Sequence, residues 1–191
     1  MADRRVLILQ AAERLLGHYG LQKTTVADIA REAKIGVGTV YLEFNSKDAI
    51  ISELSDAKYR HVLRAMRRAA FREGDFSTRL AAMMGARVDA FLQLAAVGAH
   101  AAELVHGGCS AVSQAQRVFE RAQLDLLTDF LHEAGEAGDF QVPDEARAAE
   151  ALLAAYSSFE PPAIFRFTPP EARSLLAQMH TLMLNGLRAR S

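Results

Sequence analysis

The stretch TVADIAREAKIGVGTVYLEF, Thr25 to Phe44, predicts two short helices around a tight turn. In its first half, Val26, Ile29, Ala30 and Ala33 recur at the i, i+3, i+4, i+7 spacing of a helix with one buried face. Thr25 stands before that helix with Asp28 three residues on, a capping-box pattern that satisfies the first free amides. Lys34-Ile35-Gly36 breaks the pattern, and Ile35 is placed to plug the corner. A second helix fits Val37 to Glu43, with Val40 and Phe44 facing inward. Two short helices around a three- or four-residue turn with a glycine is helix-turn-helix geometry. The second helix of such a pair can enter the major groove of DNA.

Upstream, residues 4–19 read as a first helix with Ile8, Ala12, Leu15 and Leu16 on its inner face, ended by Gly20. Downstream, Asn45-Ser46 caps a long helix from Lys47 to about Arg72, a span free of Gly and Pro. Further helices are expected over 77–97, 100–106 and 111–134. Another starts at Pro143 with Asp144 and Glu145 near its positive end and runs toward Phe159. Thr168-Pro169-Pro170-Glu171 is a strong start for the last helix, which ends near Gly186 or Leu187. No segment alternates with period two for long. The expected fold is all-α, about nine helices. The domains are drawn as 1–46, the helix-turn-helix part, and 47–191, the remaining helices, with a break in composition near Gly74-Asp75.

The chain has 191 residues, half of them apolar, enough for a substantial core. Its one cysteine, Cys109, excludes an internal disulfide and suits a reducing compartment. Charged residues at the start exclude a signal peptide, and no uncharged apolar run is long enough to span a bilayer. A cytoplasmic location is expected. Residues 1–79 carry fourteen Lys/Arg against ten Asp/Glu, whereas residues 80–191 carry eight against thirteen. A basic front that also holds the motif suits a polyanion partner. Arg60, Arg64, Arg67, Arg68 and Arg72 share a stripe of the long helix. At 1.5 Å per residue, Arg60 lies roughly 20 Å along the axis from Lys47, so the stripe reads as a solvated face.

The motif resembles the DNA-reading element of the TetR (tetracycline-repressor-like) family, whose pattern is roughly T-T-V-x-x-I-A-x-x-A-G-V-S-x-G-T-L-Y-x-H-F-x-S-K-E. Thr24, Thr25, Val26, Ile29, Ala30, Ala33, Ile35, Gly38, Thr39, Val40, Tyr41, Phe44, Ser46, Lys47 and Asp48 fall in register without a gap. Three departures stand out: Gly36 where a capping serine is usual, Val37 where a lysine is common, and Glu43 where a histidine is common. The stretch AGEAGDFQVPDEARAAEALLAA resembles, more weakly, the region before the eighth helix of such regulators. The resemblance implies a homodimeric transcriptional regulator, most often a repressor. Its first three helices would bind double-stranded operator DNA, and its later helices would dimerise and hold a small-molecule inducer. It implies no enzyme activity, no cofactor and no metal.

Thr39, Tyr41 and Lys47 can each donate to a phosphate oxygen, and Thr25 can do so beside its capping role. Gly36 and Gly38 allow close backbone approach, and Val37 and Leu42 suit thymine methyls. Glu43 is wrong for a phosphate: it repels the backbone, turns toward Lys47, or accepts from a cytosine amino group. The pocket implied by the resemblance would draw on Met66, Met83, Met84, Phe91, His106, Phe119, Phe130, Tyr156 and Phe159, which also read as ordinary core. Dimerisation is expected through an apolar stripe of Leu175, Met179, Leu182 and Met183 and another of Leu152, Leu153, Tyr156 and Phe159. Two other readings stay open. One is a helical-bundle metalloprotein or enzyme, for which only one Glu-x-x-His pair, Glu103 and His106, is present. The other is an interaction module with a disabled reading helix, suggested by the lack of positive charge between Val37 and Phe44.

Overall fold

The computed structural model describes residues 3–187. Its helices are α1 (Arg4–Tyr19), α2 (Val26–Glu32), α3 (Val37–Glu43), α4 (Lys47–Ala70), α5 (Phe76–Ala96), α6 (Glu103–His106), α7 (Ser110–Glu136), α8 (Glu145–Ala155) and α9 (Pro169–Leu187). Two 3-10 turns, Ser157–Phe159 and Ala163–Arg166, lie between α8 and α9. Among the described residues there is no β-strand, and no helix is long and apolar enough to cross a membrane.

The chain forms two compact units, each discontinuous in sequence: residues 1–59 with 93–117, and residues 60–92 with 118–191. In the first, α1 contributes Ile8, Ala12 and Leu16, α2 contributes Ile29 and Ala30, and Val40 of α3 and Phe44 close the corner. Ile50, Ile51 and Leu54 of α4 belong to the same core, as do Leu104 of α6 and Val112 of α7. The helix-turn-helix therefore rests on more chain than residues 1–46. In the second unit, Leu80, Met83, Met84 and Phe91 of α5 are buried, as are Phe130 of α7, Tyr156 and Phe159. Phe91 meets Phe119 edge-on at 5.9 Å, and Phe76 meets Phe130 at 5.4 Å.

Local chemistry sets the helix ends. Thr25 and Asp28 form the full capping box. At the end of α9's approach, Glu171 Oε2 accepts from the Thr168 amide at 2.8 Å and from its hydroxyl at 2.7 Å. Three expected boundaries are corrected. Pro143 lies outside α8, whose cap is Asp144, accepting from the Arg147 amide at 2.9 Å. That carboxylate satisfies an orphan amide, which the proline could not. The same helix ends at Ala155 rather than near Phe159. A 3-10 turn, Ser157–Phe159, follows it, and Glu160, before a proline, takes the extended conformation. The short helix expected over 100–106 begins only at Glu103, because the His100 amide donates instead to Gly17 O at 3.0 Å.

Candidate nucleic-acid interface

The turn between α2 and α3 is a Schellman motif: the Lys34 amide donates to Arg31 O at 3.1 Å and the Ile35 amide to Ala30 O at 3.0 Å. The motif needs a left-handed residue, and Lys34 has φ 57. This is where the resembled pattern carries glycine. Ile35 is half-buried against the core. Gly36 then caps α3 without any side-chain bond and in an extended conformation.

On α3, Val40 and Phe44 are buried, which turns the opposite face outward. Leu42 is 81% exposed, Tyr41 51% and Val37 42%. Gly36 and Gly38 are exposed and Thr39 is half-buried. A β-carbon on Gly38 would meet nothing within 4 Å. Val37, Gly38, Tyr41 and Leu42 thus share open surface.

Two of the expected phosphate donors are already engaged. The Thr25 hydroxyl donates to Asp28 Oδ2 at 2.6 Å while accepting from the Asp28 amide at 3.2 Å. These bonds hold the Asp28 carboxyl below its ordinary range. Lys47 is half-buried, and its ammonium donates to Leu21 O at 2.9 Å and Thr24 O at 3.1 Å. Of its three protons, two serve the α1–α2 loop.

Arg5 was not among the residues singled out. Its guanidinium lies 4.1 Å above the Phe44 ring, donates to Glu43 O at 2.9 Å and pairs with Glu53. It ties the end of α3 to α1 and α4. The Glu53 hydrogen bond raises its pKa despite some desolvation, and the Glu43 charge adds to the rise. Lys23 and Lys34, which match no position of the resembled pattern, are exposed. Among the described residues neither forms an ion pair, so both offer free positive charge beside the motif.

The residues suggested for a ligand pocket separate. Met66, Met83, Met84, Phe91, Phe119, Phe130, Tyr156 and Phe159 are all buried in the second unit, whereas His106 belongs to the first. Burial lifts the Tyr156 phenol to about 12. Among these apolar groups lies fully buried Arg87, which donates to Gln123 Oε1 at 3.1 Å and pairs with Glu160. Desolvation lowers its pKa against the attraction of Glu160, and desolvation likewise pushes the Glu160 carboxyl up. Sequence periodicity held the signal, since Arg87 continues the apolar stripe of Leu80, Met83, Met84 and Phe91.

The expected dimer surface is corrected in part. Leu152, Tyr156 and Phe159 are buried within the protomer, so they expose no stripe. Of that set Leu153 alone is half-buried. On α9, Leu175 and Leu182 are exposed and Met179 and Met183 half-buried. Glu103 accepts from the Leu21 amide at 2.8 Å and pairs with His100 at 2.6 Å. Among the described residues no group of three His, Cys, Asp or Glu side chains is placed to hold a metal ion.

These features define a helix-turn-helix protein. Residues 8–54 match the model of the bacterial regulatory proteins, tetR family. The match is confined to α1, the helix-turn-helix and the first part of α4. It is 36% identical over 71 residues to the HTH-type transcriptional regulator YvdT of Bacillus subtilis, an alignment covering 37% of each chain. The alignments with curated relatives span only 20% to 45% of those relatives' own length. The fold matches the fatty acid degradation regulator FadR of Bacillus halodurans, with TM-score 0.72 and 24% identity over 100% of this chain and 99% of that one. It also matches a TetR/AcrR-family transcriptional regulator of Thermobifida fusca, with TM-score 0.71 and 23% identity over 98% and 100% of the two chains.

Proposed function

We propose that this protein is a DNA-binding transcriptional regulator, a cytoplasmic homodimeric repressor released from its operator by a small, mostly apolar molecule. The observation that carries the reading is the outward face of α3. Val37, Tyr41 and Leu42 lie exposed there, held in place by buried Val40 and Phe44. Val37 and Leu42 touch thymine methyls, and Tyr41 and Thr39 donate to phosphates. Gly36 and Gly38 let the backbone approach. Lys23, Lys34 and the remaining Lys47 proton supply positive charge around a helix that has none.

Dimerisation is supported by the apolar stripe of α9 and by the small residues Ala151 and Ala154, exposed on α8 beside half-buried Leu153. Inducer binding is supported by the Met- and Phe-rich interior of the second unit. An interaction module is the second reading, favoured by the lack of a cation from Val37 to Phe44. Genome-wide DNA capture with the purified protein separates the two. The regulator enriches a pseudo-palindrome with half-sites about 10 base pairs apart or a multiple of that. Recovery of no sequence above a scrambled background overturns it.

A further inference from the structure

Beyond Lys58, α4 carries positive charge that no carboxylate of the described residues answers. From Ala57 to Arg72 the sequence has no Asp or Glu. Lys58 itself pairs with Glu13. Arg60, Arg64, Arg67, Arg68 and Arg72 are all exposed. Among the described residues, none of their guanidiniums makes a hydrogen bond, an ion pair or a ring contact. Asp56 stands one turn before Arg60 without pairing to it. All five arginines belong to the second unit.

Arg60, Arg64, Arg67 and Arg68 fall within about 100° of the helix circumference and about 12 Å of its length. Like charges at i, i+4 repel, so Arg60 with Arg64 and Arg64 with Arg68 each disfavour the helix. The helix dipole favours cations in the last turn, where Arg67 and Arg68 stand. Arg60 and Arg64 lie beyond its reach. The stripe ends on an aromatic ring left in water: Phe71, just past α4, is 76% exposed. The Arg72 amide donates to Ala69 O at 3.3 Å, so Phe71 and Arg72 continue the helical turn. Among the described residues no ring and no guanidinium stacks on Phe71.

We propose that this stripe binds single-stranded nucleic acid, with phosphates accepting from the arginines and a base stacked on Phe71. A guanidinium presents a planar fork of N–H donors that matches phosphate oxygens, which an ammonium does not. Every unpaired cation of the stripe is an arginine. A bare ring is a stacking platform for any unstacked base. A duplex offers the same phosphates but keeps its bases stacked on one another. An acidic peptide offers charge without a flat face. An anionic bilayer takes up helices whose apolar face is turned outward. That face of α4, with Val62, Met66 and Ala69, is buried in the protein. The binding does not rest on the regulator reading, whose helix α3 belongs to the first unit.

End-labelled dodecamers of oligouridine and oligothymidine test the stripe by fluorescence anisotropy with the full chain across a salt series. Both are expected to bind, and a preference for either names RNA or DNA as the source. Arg60→Gln combined with Arg64→Gln removes two phosphate contacts and should flatten the salt dependence by about 1.4 units. It also relieves like-charge repulsion, so the melting temperature should not fall. Phe71→Ala should weaken both strands at least about fivefold and leave an abasic dodecamer of equal charge unchanged. Binding of scrambled duplex should match the parent's in both variants. An unchanged salt dependence in the double variant overturns the proposal, as does equal loss of base-bearing and abasic strands in Phe71→Ala. So does tighter binding of scrambled duplex, polyglutamate or phosphatidylglycerol vesicles through the same arginines. Capture of operator DNA is measured separately. Strand binding without operator capture keeps the stripe and loses the regulator, and operator capture without strand binding does the reverse.

Discussion

The Lys47 ammonium donates to the Leu21 carbonyl at 2.9 Å, while the amide of the same residue donates to Glu103 at 2.8 Å. Leu21 is thus gripped from α4 on one side and from α6 on the other. The loop that sets α2 against α1 depends on both. A lysine expected to meet phosphate is first a structural clasp. Lys47→Ala should therefore lower stability by about 1–3 kcal/mol, the worth of charge-assisted bonds to half-buried carbonyls. Chemical denaturation measures this. If Lys47→Ala weakened DNA binding with no loss of stability, the clasp would be irrelevant and the phosphate role would stand alone.

Glu103 makes the grip depend on pH. Partial burial pushes its carboxyl up, but the Leu21 amide, His100 and the charge of His106 outweigh that, and its pKa falls below the ordinary 4.5. A carboxyl lowered by folding stabilises above its unfolded pKa and loses that contribution as pH falls through the folded one. Stability should thus decline below about pH 4.5. Asp28 and Glu171, also held low, act with the same sign. Glu103→Gln keeps an acceptor for the Leu21 amide but removes the charge. Its melting temperature should lie below the parent's at pH 7 and converge with it near pH 3. A constant gap across that range would remove Glu103 from the acid response.

Helix positions were legible because they rest on local chemistry. The apolar spacing of Val26, Ile29 and Ala30, the Thr25–Asp28 box and the Thr168–Glu171 start each lie within a few residues. Partners far apart in sequence were not. Lys47 meets Leu21 and Thr24, and Arg5 meets Phe44 and Glu53, only after α1 and α4 have packed. The apolar stripe imagined on α8 failed for a related reason. Leu152 and Tyr156 do form a stripe, but periodicity does not say whether the protomer or a second copy covers it. Arg87 was visible as a charge on an apolar face, yet its partner Glu160 is 73 residues away.

Arg87 and Glu160 should respond unequally to mutation. Arg87 has no side-chain exposure, whereas Glu160 keeps 33%. Glu160→Ala strands a buried guanidinium and should cost about 3–5 kcal/mol. Arg87→Met leaves a carboxylate that water can reach, and it should cost about 1–3 kcal/mol, mainly through the unpaired carbonyls of Gln123 and of Phe159, whose backbone oxygen accepts from the guanidinium at 3.4 Å. Thermal or urea unfolding of both variants ranks them. The reverse order would mean that Glu160 is the more deeply desolvated partner.

Glu43 lies beside Arg5, whose guanidinium donates to its backbone carbonyl at 2.9 Å and attracts its charge. Its remaining field opposes phosphate. Glu43→Gln should tighten operator and scrambled duplex alike by about 1 kcal/mol or less in this half-exposed setting. Competition binding at two salt concentrations tests this. Selective loss of operator affinity would instead make Glu43 a reader of cytosine, at about 1–3 kcal/mol.

Lys34 joins a conformational cost to a positive charge. Its φ of 57 is one that side-chain-bearing residues avoid, at about 1–2 kcal/mol. The Schellman geometry fixes that conformation whatever the residue, and glycine would adopt it without the cost. Yet the side chain is exposed immediately before α3, where the reading helix has no cation of its own. Lys34→Gly should raise stability by about 1 kcal/mol and weaken binding to all DNA sequences, flattening the salt dependence by about one unit. Lys34→Ala separates the two effects. It loses the charge but keeps a β-carbon in the left-handed conformation, so DNA affinity should fall as it does for glycine with no gain in stability. Unfolding curves and salt-dependent DNA titrations of both variants decide the matter. Unchanged DNA affinity in both would place Lys34 beyond reach of the backbone and leave its strain without a functional return.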